Sequence, residues 1–239
     1  MLDVIKNKVS DEFTISNNKI CTFLNPFSYL IMRRNKELMN RLDVIYFDGY
    51  WLCKIYNFMF NKDINRVSFD FSSVADKYFK SLSSDSKVAV IGSDSVSNKV
   101  FCEFLNNNYN NFTVIFNRDG YFSNDEERDN CIRNIINLEV DNIIVGMGTP
   151  YQEDFLSALK DKGWSGSGYT CGGFIHQTAN KGKKYYPTLM DKWNLRFVYR
   201  IYDEPKLIKR YAFYYPVFVF LFLYDFFITR SRKYCRGNK

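Results

Sequence analysis

Four segments of the chain put polar residues directly after apolar runs of strand length, where side chains can reach a ligand. Asn25 follows KICTFL and precedes Pro26. An Asn there can hold a sugar hydroxyl or phosphate, and it is equally a helix N-cap with Pro at the first helical position. Asp48 and Gly49 follow VIYF. The carboxylate suits a general base within hydrogen-bond reach of a hydroxyl, with Gly49 leaving room for substrate, although Asp-Gly is also a common turn pair. Asn117, Arg118, Asp119 and Gly120 close FTVIF with the same choice between turn and crevice lining. Finally, Gly146 and Gly148 precede Thr149, Pro150, Tyr151 and Gln152. Thr149 reads as N-cap and Gln152 as its capping-box partner, and the glycines let a phosphate approach the positive end of the helix.

Missing motifs narrow the chemistry. There is no Asp-x-Asp, Walker lysine loop or G-x-S-x-G elbow, and no G-x-G-x-x-G near the first strand. His176, the single histidine, has no metal-spaced partner and reads as structural. No metal is expected. A departing diphosphate would have to be met by helix N-termini and by basic residues, for which the stretch from Arg200 to Arg210 is the available source.

The elements that must carry these residues alternate. Strands are predicted over 19–24, 44–47, 87–92, 112–116 and 141–148. Helices are predicted over 26–42, 72–82, 95–107, 125–138 and 149–161, with an aromatic helical stretch opening at Asp48-Gly49. Such alternation implies an α/β fold, a Rossmann-like, mainly parallel sheet flanked by helices with ligands beyond the carboxyl ends of its strands. Residues 1–191 form the predicted catalytic domain and 192–239 a helical, basic and aromatic appendage.

Charge divides the same way. The chain has 239 residues and a net charge of +7. The part from Lys192 onward holds 11 basic and 3 acidic residues, which leaves the rest close to neutral. A neutral body argues against a nucleic-acid-coating surface. The uncharged run Tyr211–Tyr224 lies between basic clusters, as in a segment lying at an anionic bilayer surface. It is short for a span and contains Pro216, and a buried core helix is the plainer alternative. The six cysteines are scattered and read as reduced structural thiols. No signal peptide is expected, since the N-terminus lacks a basic segment followed by an apolar run. The aromatic-rich surface is compatible with a homo-oligomer.

Taken in order, FLNPFSYL (23–30), FDG (47–49), Arg66 before SFDF, VAVIGSD (88–94), RDGYF (118–122), VGMGTPYQE (145–153), CGGF (171–174) and LRFVYRIYDEPKLIKRY (195–211) resemble the WecG/TagA/CpsF family of bacterial glycosyltransferases, with FLNPFSY most similar to its capsule-synthesis branch. The resemblance implies an inverting, metal-independent transfer, without a cofactor, from a UDP-sugar donor to a polyprenyl-diphosphate-linked sugar acceptor. The setting implied is peripheral, on the cytoplasmic face of the bacterial inner membrane. Asp48 becomes the expected base. Asn25, Arg66, Asp119, Gly120, Gly146, Gly148, Gln152 and Glu153 are the expected donor contacts. Thr22 and Asn25 are expected at the acceptor, and Arg200, Lys206 and Arg210 at the diphosphate. The chain departs from the family by carrying its Thr three residues before Asn25, Lys206 where Arg is common, and Arg196 in place of an acidic residue. A non-catalytic, nucleotide-binding membrane partner in a polysaccharide assembly complex is the alternative that would need no base.

Overall fold

Six strands form one sheet in the order β2-β1-β6-β5-β3-β4, with every pairing parallel. They are β1 (Ile20–Leu24), β2 (Val44–Phe47), β3 (Lys87–Gly92), β4 (Thr113–Arg118), β5 (Asn142–Gly146) and β6 (Ser167–Thr170). The structure, a computed structural model, describes residues 1–15, 17–183, 199, 201, 202 and 205–237; the side chains of Lys206 and of 232–237 fall outside that description. Arg196, Arg200 and the expected domain boundary at 191/192 lie outside the described residues.

The strands are continuous apolar runs because helices cover both faces. In β3, Ala89 and Ile91 enter one core while Val88 and Val90 enter the other. The first core is largely aliphatic and lies under α1 (Leu2–Lys8), α2 (Pro26–Met32), α3 (Lys36–Arg41), α4 (Tyr50–Phe60), α7 (Asp125–Asn137) and α8 (Tyr151–Asp161). The second lies under α5 (Ala75–Ser81), α6 (Ser95–Asn108) and α9 (Phe174–Lys181) and takes up much of the aromatic content. There Phe13, Phe23, Tyr46, Phe69, Tyr78 and Tyr169 stack or meet edge to face at centroid distances from 4.7 to 6.4 Å.

Several expectations shift. The predicted helix 26–42 is two helices, broken between Met32 and Lys36. The helices expected from 72 and 149 begin at Ala75 and Tyr151, while α1, β6 and α9, with Phe174 and His176 expected in a loop, have no predicted counterpart. β6 sits in the middle of the sheet, although its sequence, SGYT, carries little strand signal. Its Gly168 lies tight against α8, where a Cβ would come within 2.5 Å of Leu156 Cδ2.

At the C-terminus, Pro205–Leu207 forms a 3-10 turn and Arg210–Tyr214 a π turn, and a helix follows over Tyr215–Gly237. Pro216 closely follows the π turn, and the helical backbone runs through it from Ile208 onward. Arg210–Ser231 is long and apolar enough to cross a membrane by length and composition, contrary to the short run expected. Its Phe218, Phe222 and Phe226 are nonetheless buried in the first core. Phe213, Phe220 and Phe227 stand 69%, 78% and 60% exposed. The helix thus combines the two readings, with one face docked and the other apolar and open.

Candidate active site

The carboxyl ends of β1, β2, β3, β5 and β6 open into a cleft of about 610 Å³, large enough for a nucleotide-sized ligand. At the end of β1, Asn25 caps α2. Its Oδ1 accepts from the Phe27 and Ser28 amides, and Ser28 Oγ accepts from the Asn25 amide. The capping expectation therefore holds, and the Nδ2 amide is what Asn25 has to offer a ligand.

At the end of β2, Asp48 enters the cleft beside Asn25. Two features put it there. The Asp48 amide donates to Leu24 O across the strand ends at 2.9 Å. Gly49 also lets the two turns abut, since a Cβ there would lie 2.4 Å from Pro26 Cδ. Arg66 grips this turn: Nε donates to Asp48 O at 2.7 Å and Nη2 to Asp48 Oδ1 at 2.9 Å. Ser68 receives the same guanidinium at 3.4 Å and passes its own proton to Asp70 Oδ2 at 2.7 Å. The carboxylate is thus held in one orientation by a charge-assisted fork.

At β5, the expected capping box is absent. Pro150 is the N-cap of α8, without a side-chain bond to the helix. Thr149, one residue before that N-cap, donates from Oγ1 to the Glu153 carboxyl at 3.0 Å. Thr22 Oγ1 and Gln152 Nε2 donate to the same Oε1 at 2.9 and 3.1 Å. Gln152 Oε1 accepts the Gly172 amide at 3.2 Å, tying the loop after β6 to the start of α8. Burial pushes the Glu153 carboxyl above its ordinary value despite these donors. Its other oxygen, Oε2, has no partner among the described residues.

Of the expected site residues, Asn25, Asp48, Arg66, Gly148, Gln152 and Arg210 line the cleft. Thr22 and Glu153 are 1% exposed and form part of the polar wall behind it. Asp119, Gly120 and Gly146 stand outside the lining, Asp119 turned to the Tyr121 amide at 2.9 Å. Lys206 has no described side chain.

The cleft also contains groups without a prior expectation. Asp94 caps α6 by accepting the Ser97 amide at 2.9 Å, and bonds from Ser97 hold its carboxyl down to about 2. Ser97 Oγ lies 3.0 Å from His176 Nδ1, and Asn180 Nδ2 lies 3.0 Å from His176 Nε2, so the lone histidine is bonded on both ring nitrogens beside the cleft. Aspartate followed by Ser-x-Ser after VAVIG is a readable capping signal, but the approach of His176 is tertiary. Tyr50, Trp51, Tyr121, Tyr211 and Tyr215 add an aromatic rim. Over it the tail brings Arg210, whose guanidinium stacks on Phe27 of α2 at 3.6 Å.

The described cysteines are reduced, and burial raises the thiols of Cys21, Cys53 and Cys102 to about 12, so they are inert packing groups. Among the described residues no group of three or more His, Cys, Asp or Glu is placed to hold a metal ion.

The profile of the glycosyl transferase WecG/TagA/CpsF family matches residues 2–232. A protein of Shigella boydii named UDP-Gal:alpha-D-GlcNAc-diphosphoundecaprenol beta-1,4-galactosyltransferase is 32% identical over 228 residues, covering 93% of this chain and 95% of its own.

Proposed function

Since the chain belongs to the WecG/TagA/CpsF glycosyltransferase family, we propose that it moves a hexose from a UDP-sugar to a sugar carried on polyprenyl diphosphate, in the making of a bacterial surface polysaccharide. Similarity to the Shigella boydii enzyme makes UDP-galactose the first donor to test and an undecaprenyl-diphosphate-linked N-acetylglucosamine the first acceptor. Assignment to the capsule branch rests on the FLNPFSYL segment alone.

The observation that carries the proposal is the Arg66-held Asp48 carboxylate in a nucleotide-sized cleft closed by a tail cation. In a single displacement, Asp48 accepts the proton of the acceptor hydroxyl. That oxygen then bonds to the anomeric carbon as the bond from this carbon to the UDP oxygen breaks, and configuration inverts. UDP leaves with the electron pair. Its added charge falls to Arg210 and to the start of α8, with no divalent cation assigned a part. Arg66 is committed to Asp48, so its role is to aim the base and to add positive potential near the reacting centre.

Asp48→Asn tests this. Release of UDP that depends on both donor and acceptor should fall by at least about 100-fold, while the thermal midpoint and UDP affinity stay close to those of the parent. Near-normal turnover would remove Asp48 from its role. UDP binding without acceptor-dependent release in the parent protein would favour the non-catalytic nucleotide-binding alternative.

The peripheral membrane setting belongs to the same proposal. A lipid-linked acceptor requires proximity to the bilayer, and the exposed aromatic face of the C-terminal helix offers the surface that meets it.

A further inference from the structure

The C-terminal helix carries one acidic residue in its apolar stretch, Asp225, and the structure gives it a dedicated partner. Arg33 Nε and Nη2 donate to Asp225 Oδ2 and Oδ1, both at 2.8 Å, and Tyr29 Oη donates to Oδ2 at 2.7 Å. Burial and the carboxylate keep the Tyr29 phenol protonated as a donor. Tyr29 itself is packed between Phe218 and Phe222 at 5.3 and 5.4 Å.

A charge in an apolar helix face is costly, and burying an ion pair is a weak route to stability. It is a strong route to specificity, because an arginine fork and a phenol accept the carboxylate at only one rotation and one register of the helix. The phenylalanine comb alone would tolerate a slip of one turn, from Phe218 to Phe222 to Phe226, since these positions repeat at i, i+4 and i+8.

Both ends of α2 are engaged. At its far end Arg33, together with Tyr29 from its middle, holds Asp225. Near its start, next to the cleft residue Asn25, Phe27 receives the Arg210 guanidinium and the edge of Tyr214 at 5.2 Å. Tyr215 and Asp225 are ten residues apart along the helix, about 15 Å. We propose that the Arg33–Asp225–Tyr29 cluster is a register latch, which fixes the C-terminal helix on α2 and thereby holds Arg210 and Tyr211 at the mouth of the cleft. Asp225 and Arg33 are positioning residues that act through Arg210. Their catalytic consequence rests on the transfer reaction proposed above.

Two variants separate register from adhesion. Asp225→Asn removes the charge pair. Asp225→Leu combined with Arg33→Met replaces it by apolar packing, which restores adhesion without restoring direction. The measurements are thermal midpoint, amide hydrogen exchange across 207–215 in the unliganded protein, and steady-state UDP release with UDP-galactose and a prenyl-diphosphate N-acetylglucosamine acceptor. Asp225→Asn should lower the midpoint and speed exchange across 207–215. The double variant should recover the midpoint to within a few degrees, yet keep the faster exchange and a kcat at least tenfold below the parent, with the donor KM changed less than threefold. A double variant that regains parental exchange and activity would overturn the proposal, because adhesion alone would then suffice. Unchanged exchange in both variants would overturn it as well. If the parent shows no acceptor-dependent UDP release, the reaction assigned above has failed, and the exchange measurement still decides the latch.

Discussion

Glu153 shows how a buried residue behind the cleft wall organises the groups around it. Its Oε1 gathers protons from Thr22, Thr149 and Gln152, and through Gln152 it sets the loop after β6. Because burial raises its folded-state pKa above the ordinary 4.5, the neutral form is favoured by folding. The sign follows: its stabilising effect is full below pH 4.5 and is lost as pH rises through the elevated folded value. Glu153→Gln keeps an acceptor in place and cannot ionise. The thermal midpoint of the parent should therefore decline relative to Glu153→Gln as pH is raised from 4 to 8; parallel curves would refute the account. Sequence alone places Glu153 in the VGMGTPYQE segment, but not behind the wall. That placement needs Thr22 and Thr170 from two other strands, an arrangement no local pattern encodes.

At the scale of elements, the abutting β1–α2 and β2–α4 turns make the site. Asn25-Pro26 and Asp48-Gly49 are legible as strand-end signals, and both are found at the cleft. Their contact is not legible, since it depends on β1 and β2 being neighbours with Leu24 beside Phe47. Gly49→Ala puts a Cβ into the Pro26 ring, forcing the turns apart. Such overpacking costs about 1–3 kcal/mol. The expected result is a lower thermal midpoint together with a loss of UDP release exceeding what the unfolded fraction explains. An alanine variant with parental activity would show that the close approach is dispensable. Other elements are less legible for physical reasons. Strand β6 is not legible because it is only four residues long and opens on Ser167 and Gly168, which carry little strand propensity. The expected cap at Thr149 is absent because the helix starts one residue later, with Pro150 as its N-cap. In contrast β2 and β3, continuous apolar runs with clear boundaries, fall at their expected residues.

At the scale of the molecule, the near-neutral part of the sequence supplies the sheet and most of the cleft. The described residues of the basic, aromatic C-terminal part pack on α2 and bring Arg210 to the mouth. The exposed row of Phe213, Phe220 and Phe227 is not needed for the core. Replacing Phe220 and Phe227 by Ser should leave the thermal midpoint within about two degrees, as expected of surface sites away from structural features. The same double change should weaken sedimentation with anionic phosphatidylglycerol vesicles at least fivefold. Unaltered vesicle binding would move the membrane contact elsewhere.

One consequence follows from the helix having one face anchored and the other open. A surface rigidly joined to the cleft sets how far the cleft stands above whatever that surface rests on. If it rests on a bilayer, the protein works at a fixed height, and a hydroxyl on the lipid-borne sugar is reachable only within a narrow band above the phosphates.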